Sequence, residues 1–390
     1  MKITRISPVV VNARVRNWIF VKVETDVAGL HGWGEATLEW KTRSVLGAID
    51  DVSRFVLGED PRRIQHLWQI MTRQYFWPAG IEGMTAISGI EHALWDIKSK
   101  WLNVPLYELL GGRVRDRLRV YTHLGGVFDA GGTEMGLTAR CEQLVDRALA
   151  CKQAGYTALK FMGLPRMART DHVQTIRQAE CAVRALREAV GSETDLMVDL
   201  LGRCWPATAL QVCRVLEPYE LLFLEEPCST KDIEATAQVT QASRIPIATG
   251  ERLVGLHSFR DLLEKRACHI VQPDLTHCGG LWEAAKIASL AETYSVDVAP
   301  HTPSGPVGAA VATHFGFVTP NWLIQEAVQS DVPWRDDIVD EPLTIKDGHI
   351  GPPTRVGLGV EINEDEAKKY PFQPDIDARH FLYDGSVGEW

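Results

Sequence analysis

DLMVDL (195–200), LLFLEE (221–226) and IPIAT (245–249) are three short apolar runs that set the architecture, because each has an acid at or just past its end. Asp199, Glu225 and Glu251 stand 26 residues apart, about one strand plus one helix each. Working outward, the texture repeats. Upstream lie LRVYT (118–122) and TALKFM (157–162), and downstream HIVQPD (269–274), VDVAP (296–300) and WLIQE (322–326). There are eight such runs, and each but the last is followed by a helix-length segment. That order predicts a parallel (β/α)₈ barrel. An open doubly wound sheet is disfavoured, since no G-x-G-x-x-G or P-loop follows any run.

Before the barrel, residues 1–117 read as a small α+β domain. Trp18 to Thr25 alternates, with Ile19, Val21 and Val23 on one side and Lys22 and Glu24 on the other. Gly29 to Gly34 (GLHGWG) reads as a turn. Helices are expected over 42–57, 64–75 and 85–101, the last from Ile87, Ile90, Leu94 and Ile97 at helical spacing. The barrel is assigned 118–330. In the remaining segment, 331–390, Asp347-Gly348 signals a hairpin.

Composition narrows the function. The 390 residues are 45% hydrophobic and carry a net charge of −10, so no counterion-release term favours nucleic acid. No apolar run reaches the length of a membrane span. The first 18 residues hold no secretory signal, because Arg14 and Arg16 interrupt their apolar stretch. Eight cysteines without a C-x-x-C read as reduced thiols, which predicts a cytoplasmic protein.

Acids at the C-terminal ends of successive parallel strands, about 4.8 Å apart, converge on one point. Three converging carboxylates repel unless a cation lies between them, and hard oxygen ligands suit Mg²⁺. Taken singly, each acid reads first as a helix cap or a surface charge, but three in phase at successive strand ends favour the cation. Asp274 ends the sixth run and His301 follows the seventh, 27 residues on. Side by side, Asp274 would accept a hydrogen bond from one imidazole nitrogen and raise the basicity of the other. Glu326 ends the eighth run.

GWGE (32–35), GIEHALWDIKSK (89–100) with PLYELLGG, FLEEP (223–227), ATGER (248–252), QPDLTHCGG (272–280), APH (299–301), QE (325–326), GLGVEI (357–362) and SVGEW (386–390) together resemble the enolase superfamily, mandelate racemase subgroup. Within it they resemble the acid-sugar dehydratases of the galactonate dehydratase type. The resemblance implies a modified (β/α)₇β TIM barrel under an N-terminal α+β capping domain, to which the C-terminal segment returns. It implies Mg²⁺ on Asp199, Glu225 and Glu251, with Glu225 rather than Glu226 as the matching acid. It further implies His301 paired with Asp274 as general base, Glu326 near an enolate oxygen, and a homo-oligomer. The chemistry implied is abstraction of a proton beside a carboxylate, in the service of sugar-acid catabolism.

Two positions depart from the family pattern. Met162 stands where a second lysine often serves as base, and Leu201 where galactonate dehydratases carry a histidine acid. Strand alternation would put Met162 on the face of Lys160 and Leu201 on that of Asp199. His301 then looks across at an apolar wall. Epimerisation or cycloisomerisation would need a second acid–base group. One histidine suffices for syn loss of water, and a metal-binding barrel without turnover is the remaining alternative. Lys160 either neutralises the substrate carboxylate, acts as an acid, or bridges to a metal-binding acid. Arg203 binds a distal hydroxyl or pairs within the rim. His123 is an alternative acid or a rim histidine, and His277 a supporting residue behind the site. Trp40 and Tyr75, with Phe76 and Trp77, fall in cap loops that close over a small sugar-acid substrate or pack between domains.

Overall fold

A computed structural model describes residues 1–125, 137–162, 169–328, 331–376, 379–382 and 384–389; Trp390 of the SVGEW motif lies outside them. The cap opens with an antiparallel sheet in the order β1 (Ile3–Asn12), β2 (Asn17–Thr25) and β3 (His31–Glu35). Helices α1 (Thr42–Ser53), α2 (Ile64–Arg73), α3 (Ile81–Leu102) and the single turn α4 (Leu106–Leu109) follow. Part of the GLHGWG stretch is therefore strand, not turn. Gly29 does sit in a turn, at φ 78°, but Gly32 and Gly34 are there for close packing: a Cβ on Gly34 would lie 1.9 Å from the carbonyl oxygen of Gly89 in α3. Glycine thus lets β3 press directly onto the helix. The polar–apolar alternation of β2 also breaks down. Trp18, Ile19, Phe20 and Val21 are all buried, because the second face of the sheet is covered as well. Helix α3 starts four residues before its expected Thr85, after Gly80 in extended conformation, and α1 stops at Ser53 rather than Leu57.

The second domain alternates β4 (Leu118–His123), α5 (Leu137–Gln153), β5 (Ala158–Phe161), α6 (Val173–Val190), β6 (Asp195–Asp199), α7 (Pro206–Leu216), β7 (Phe223–Glu225) and α8 (Ile233–Ala242). It continues with β8 (Ile247–Thr249), α9 (Gly255–Glu264), β9 (Ile270–Val271), α10 (Leu281–Thr293), β10 (Asp297–Val298), α11 (Pro306–Val318) and β11 (Gln325–Glu326). Strands β4 to β10 pair in parallel in chain order, and β11 pairs in parallel with β4. Val298 joins the two ends. Its N–H donates to Asn321 O at 2.8 Å and its carbonyl accepts from Leu323 N at 2.8 Å. Seven helices for eight strands make a (β/α)₇β arrangement.

One apolar residue from each strand or its edge fills the centre: Tyr121, Ala158, Met197, Phe223, Ala248, Ile270, Ala299 and Ile324. Side chains two residues apart share a face. The next inward positions along six of these strands are therefore His123, Lys160, Asp199, Glu225, His301 and Glu326. The plug that holds the barrel together is also the platform beneath the polar residues.

Two buried cap glutamates dock the cap on the barrel. Glu35, in β3, accepts from Gly305 N at 2.5 Å and Gly308 N at 2.7 Å, at the start of α11. Glu91, in α3, accepts from Leu281 N at 2.9 Å and Trp282 N at 3.1 Å, at the start of α10. Each supplies a carboxylate to N–H groups that lack a partner within their own helix. After β11 come the expected hairpin, β12 (Ile345–Lys346) and β13 (His349–Ile350), and a last turn, α12 (Glu364–Ala367). The hairpin adds to the barrel, since β13 runs antiparallel to the start of β4. The chain then crosses to the cap, where Asp96 accepts from Leu358 N at 2.8 Å and Trp33 N at 2.9 Å.

Candidate active site

Asp199 and Glu225 end their strands, and Glu251 lies two residues past β8. One carboxylate oxygen from each falls within 4.8 Å of the others. Burial, then Glu225 and Glu251, pushes the Asp199 carboxyl well above the usual range. Burial also lifts Glu251, up to about 7, with His301 opposing and Glu226 and Glu225 adding to the rise. Crowded, buried acids of this kind fit a divalent cation, whose charge would relieve both causes. Glu226 is not one of the three clustered acids. Its backbone turns to φ 41°, and its Oε1 accepts from Thr249 Oγ1 at 2.6 Å and Gly250 N at 2.9 Å.

Lys160 is 1% exposed and lies between two acids. Its Nζ is 2.8 and 2.9 Å from the Glu225 oxygens and 3.0 Å from Glu326 Oε1. Burial opposes its charge, but Glu225 and Glu326 outweigh that and hold the ammonium well above its ordinary range. Glu326 also pairs with His123 Nε2 and accepts from Thr302 N. Burial raises the Glu326 carboxyl, yet Lys160 and His123 bring it well below the normal value.

His301 Nδ1 is 2.8 Å from Asp274 Oδ2, and its Nε2 is 3.4 Å from Glu251 Oε2. Burial pulls this imidazole down, but Glu251, the Asp274 hydrogen bond and Glu326 together hold it well above its usual range. Asp274 is lowered, since His277 and His301 overcome its burial. The expected dyad, the three acids, Lys160, Glu326 and His123 therefore share the C-terminal mouth of the barrel.

The remaining candidates differ. Strand β6 stops at Asp199, and Leu201 takes φ 56°, so the alternation that would have stacked it on Asp199 ends with the strand. Its N–H donates to Asp199 Oδ1 at 2.8 Å instead. Met162 likewise falls beyond the end of β5. Arg203 is half-buried in the turn before α7. The indole of Trp40 donates to Val15 O at 3.1 Å, within the cap. Tyr75 packs edge-on against Phe55 at 4.8 Å, on the α1 side of the cap, while Phe76 and Trp77 are exposed. The cap does reach the mouth at Arg16, which donates to Pro303 O at 2.9 Å. Sequence reasoning gave Arg252 no role. Its guanidinium lies 3.4 Å from Glu251 and donates to Leu201 O at 2.9 Å, and its only signal was its place in ATGER.

Comparison with known proteins agrees with this architecture. Residues 4–111 match the N-terminal domain of the mandelate racemase / muconate lactonizing enzyme family, and residues 143–366 match the enolase C-terminal domain-like family. The chain is 40% identical to the D-galactonate dehydratase of Xanthomonas oryzae pv. oryzae over 400 aligned residues, covering 100% of each chain. It is 37% identical to that of Ralstonia nicotianae over the same span. Among solved structures, an enolase from Agrobacterium radiobacter with bound sodium and L-malate superposes with TM-score 0.89 at 31% identity, covering 100% of both chains. A mandelate racemase/muconate lactonizing enzyme from Sulfitobacter sp. gives TM-score 0.87 at 35% identity over 96% of each. The chain belongs to the mandelate racemase / muconate lactonizing enzyme family of the enolase superfamily. It is an enzyme, a carbon–oxygen lyase of the dehydratase kind, which sets aside the metal-binding barrel without turnover. Among the described residues no helix is long and apolar enough to cross a membrane.

Proposed function

We propose that the chain dehydrates a sugar acid of the aldonate class, with D-galactonate the first candidate, to a 2-keto-3-deoxy acid. His301 Nε2 takes the proton from the carbon beside the carboxylate, the bond from the next carbon to its hydroxyl breaks, and the resulting enol becomes the ketone. Asp274 orients the imidazole and stabilises its protonated form. When bound, Mg²⁺ held by Asp199, Glu225 and Glu251 supplies positive charge that offsets both the charge growing on the substrate carboxylate and the hold of Glu251 on the His301 proton. Glu326 lies toward the enolate oxygen, with Lys160 and His123 fixing its position.

The observation that carries the reading is the His301–Asp274 contact of 2.8 Å beside three clustered acids. Across the mouth, Lys160 and His123 are both engaged with Glu326. His301 therefore returns its proton to the departing hydroxyl on the same face, and water leaves syn. A panel of aldonic and aldaric acids with Mg²⁺, assayed for 2-keto acid, tests this. Turnover of one or a few members, abolished by a chelator, is expected; no 2-keto acid from any member would contradict it. The same reading puts the enzyme in the cytoplasm as a homo-oligomer acting in sugar-acid breakdown. All eight cysteines are free, as a reducing compartment requires, and light scattering against the 43.4 kDa chain mass reads the assembly.

A further inference from the structure

The turn after β9 carries Asp274, and the cap grips that turn at successive points. Ser88 Oγ in α3 accepts from Gly279 N at 3.1 Å, and Trp68 in α2 donates to Gly279 O at 2.8 Å. Glu91 holds Leu281 and Trp282, and a Cβ on Gly280 would come within 2.5 Å of its Oε2. One side chain passes this grip on to the dyad. Thr85 Oγ1 in α3 donates its hydrogen to Ile81 O at 2.7 Å, so its oxygen is left to accept. His277 Nδ1 stands 3.0 Å from that oxygen and donates to it, and because the carboxylate of Asp274 can only accept, the ring bridges the two as the imidazolium with a hydrogen on each nitrogen. The other ring nitrogen, Nε2, faces Asp274 Oδ2 at 3.4 Å, the same oxygen that His301 Nδ1 meets at 2.8 Å. His277 is 4% exposed and Thr85 is fully buried, so water does not compete for either contact.

We propose that His277 is a positioning residue: braced by Thr85 of the cap, it holds Asp274 in register with His301, so that the seating of the cap sets the aim of the base. The proposal rests on the reading of His301 as base. It gives the cap a task at the dyad, since a cap helix becomes part of the support behind the reacting imidazole. Outer partners of this kind fix ring orientation without touching substrate.

Four variants test it, on D-galactonate or whichever sugar acid the unmodified enzyme converts. Thr85→Val keeps the shape and removes the acceptor, Thr85→Ser keeps the acceptor, and His277→Asn shortens the bridge. The fourth combines Thr85→Val with His277→Asn. Thr85→Val and His277→Asn should each lower kcat on the order of tenfold with KM within about twofold. Thr85→Ser should restore kcat, and the double variant should be no slower than His277→Asn, because both changes break one chain of contacts. Melting temperatures taken alongside separate lost aim from lost fold. A kcat within about twofold of the unmodified value in both single variants, losses that multiply in the double, or an effect confined to KM would overturn the proposal. His301→Asn run in parallel keeps the two readings apart: turnover surviving there removes the base, whereas turnover lost there and intact in the Thr85 and His277 variants removes only the brace.

Discussion

Lys160 sets the charge balance at the barrel mouth, because its ammonium is shared by Glu225 and Glu326 while scarcely touching water. Removing one partner of a buried ion pair leaves the others charged and unpaired, which costs about 3–5 kcal/mol. Lys160→Met is accordingly expected to lower unfolding free energy by about that amount in urea titration; a loss under about 1 kcal/mol would mean the carboxylates find other partners. The positions of Lys160, Asp199 and Glu225 were legible in the sequence, because alternation along a strand fixes which side chains point inward, whereas Glu251, two residues past β8 and out of step with Ala248, was legible from its 26-residue spacing alone. Leu201 was not legible. Its side-chain direction follows from a left-handed turn, and alternation has no meaning once the strand has ended. Tyr75 was placed by its loop alone, and nothing in the sequence distinguished a ring over the substrate from one packed on Phe55.

At the scale of elements, β3 and α3 are joined by glycine. Gly34→Ala would force a Cβ to within 1.9 Å of a backbone oxygen that has no freedom to withdraw. The expected cost is about 1–3 kcal/mol or more, seen as a lower melting temperature, and an unchanged value would mean the two elements can part. Within GLHGWG the turn ends at Gly29 and the strand begins at His31, because glycine signals both turns and close approach, and only the presence of a facing Gly89 distinguishes Gly34 from Gly29. The junction of α3 with α10 carries a pH signature. Burial lifts Glu91 from its ordinary 4.5 to about 7, against the N–H groups of Trp282 and Leu281 and the indole of Trp95. Below pH 4.5 the group is protonated in folded and unfolded chains alike, and its contribution is fully present. As pH rises toward 7 the unfolded chain releases the proton first, so stability drains, by about 3 kcal/mol in all. Glu91→Gln should remove that slope between pH 5 and 7, as measured by denaturant unfolding, and a parallel curve would disprove the assignment.

The whole molecule is a barrel whose inner face gathers the polar residues at its mouth and whose cap is fastened by two buried carboxylates, Glu35 and Glu91. The eight-strand order was legible because every strand repeats one pattern. The return of the C-terminal segment was not read in detail, since the hairpin of β12 and β13 joins β4 through backbone pairing that its side chains do not encode. A ligand that binds only the folded chain stabilises it, so Mg²⁺ at about 100 times its Kd should add about 2.7 kcal/mol, and Asp199→Asn should abolish that gain in a thermal melt. Equal stabilisation of the variant would move the cation elsewhere.

On this mechanism His301 removes the proton beside the substrate carboxylate. The direct measurement is kcat for His301→Asn against the unmodified enzyme on the same sugar acid with Mg²⁺, followed as 2-keto acid formed. A loss of at least about 10²-fold with the fold intact is the result expected of a general base; turnover retained within about tenfold would contradict the account.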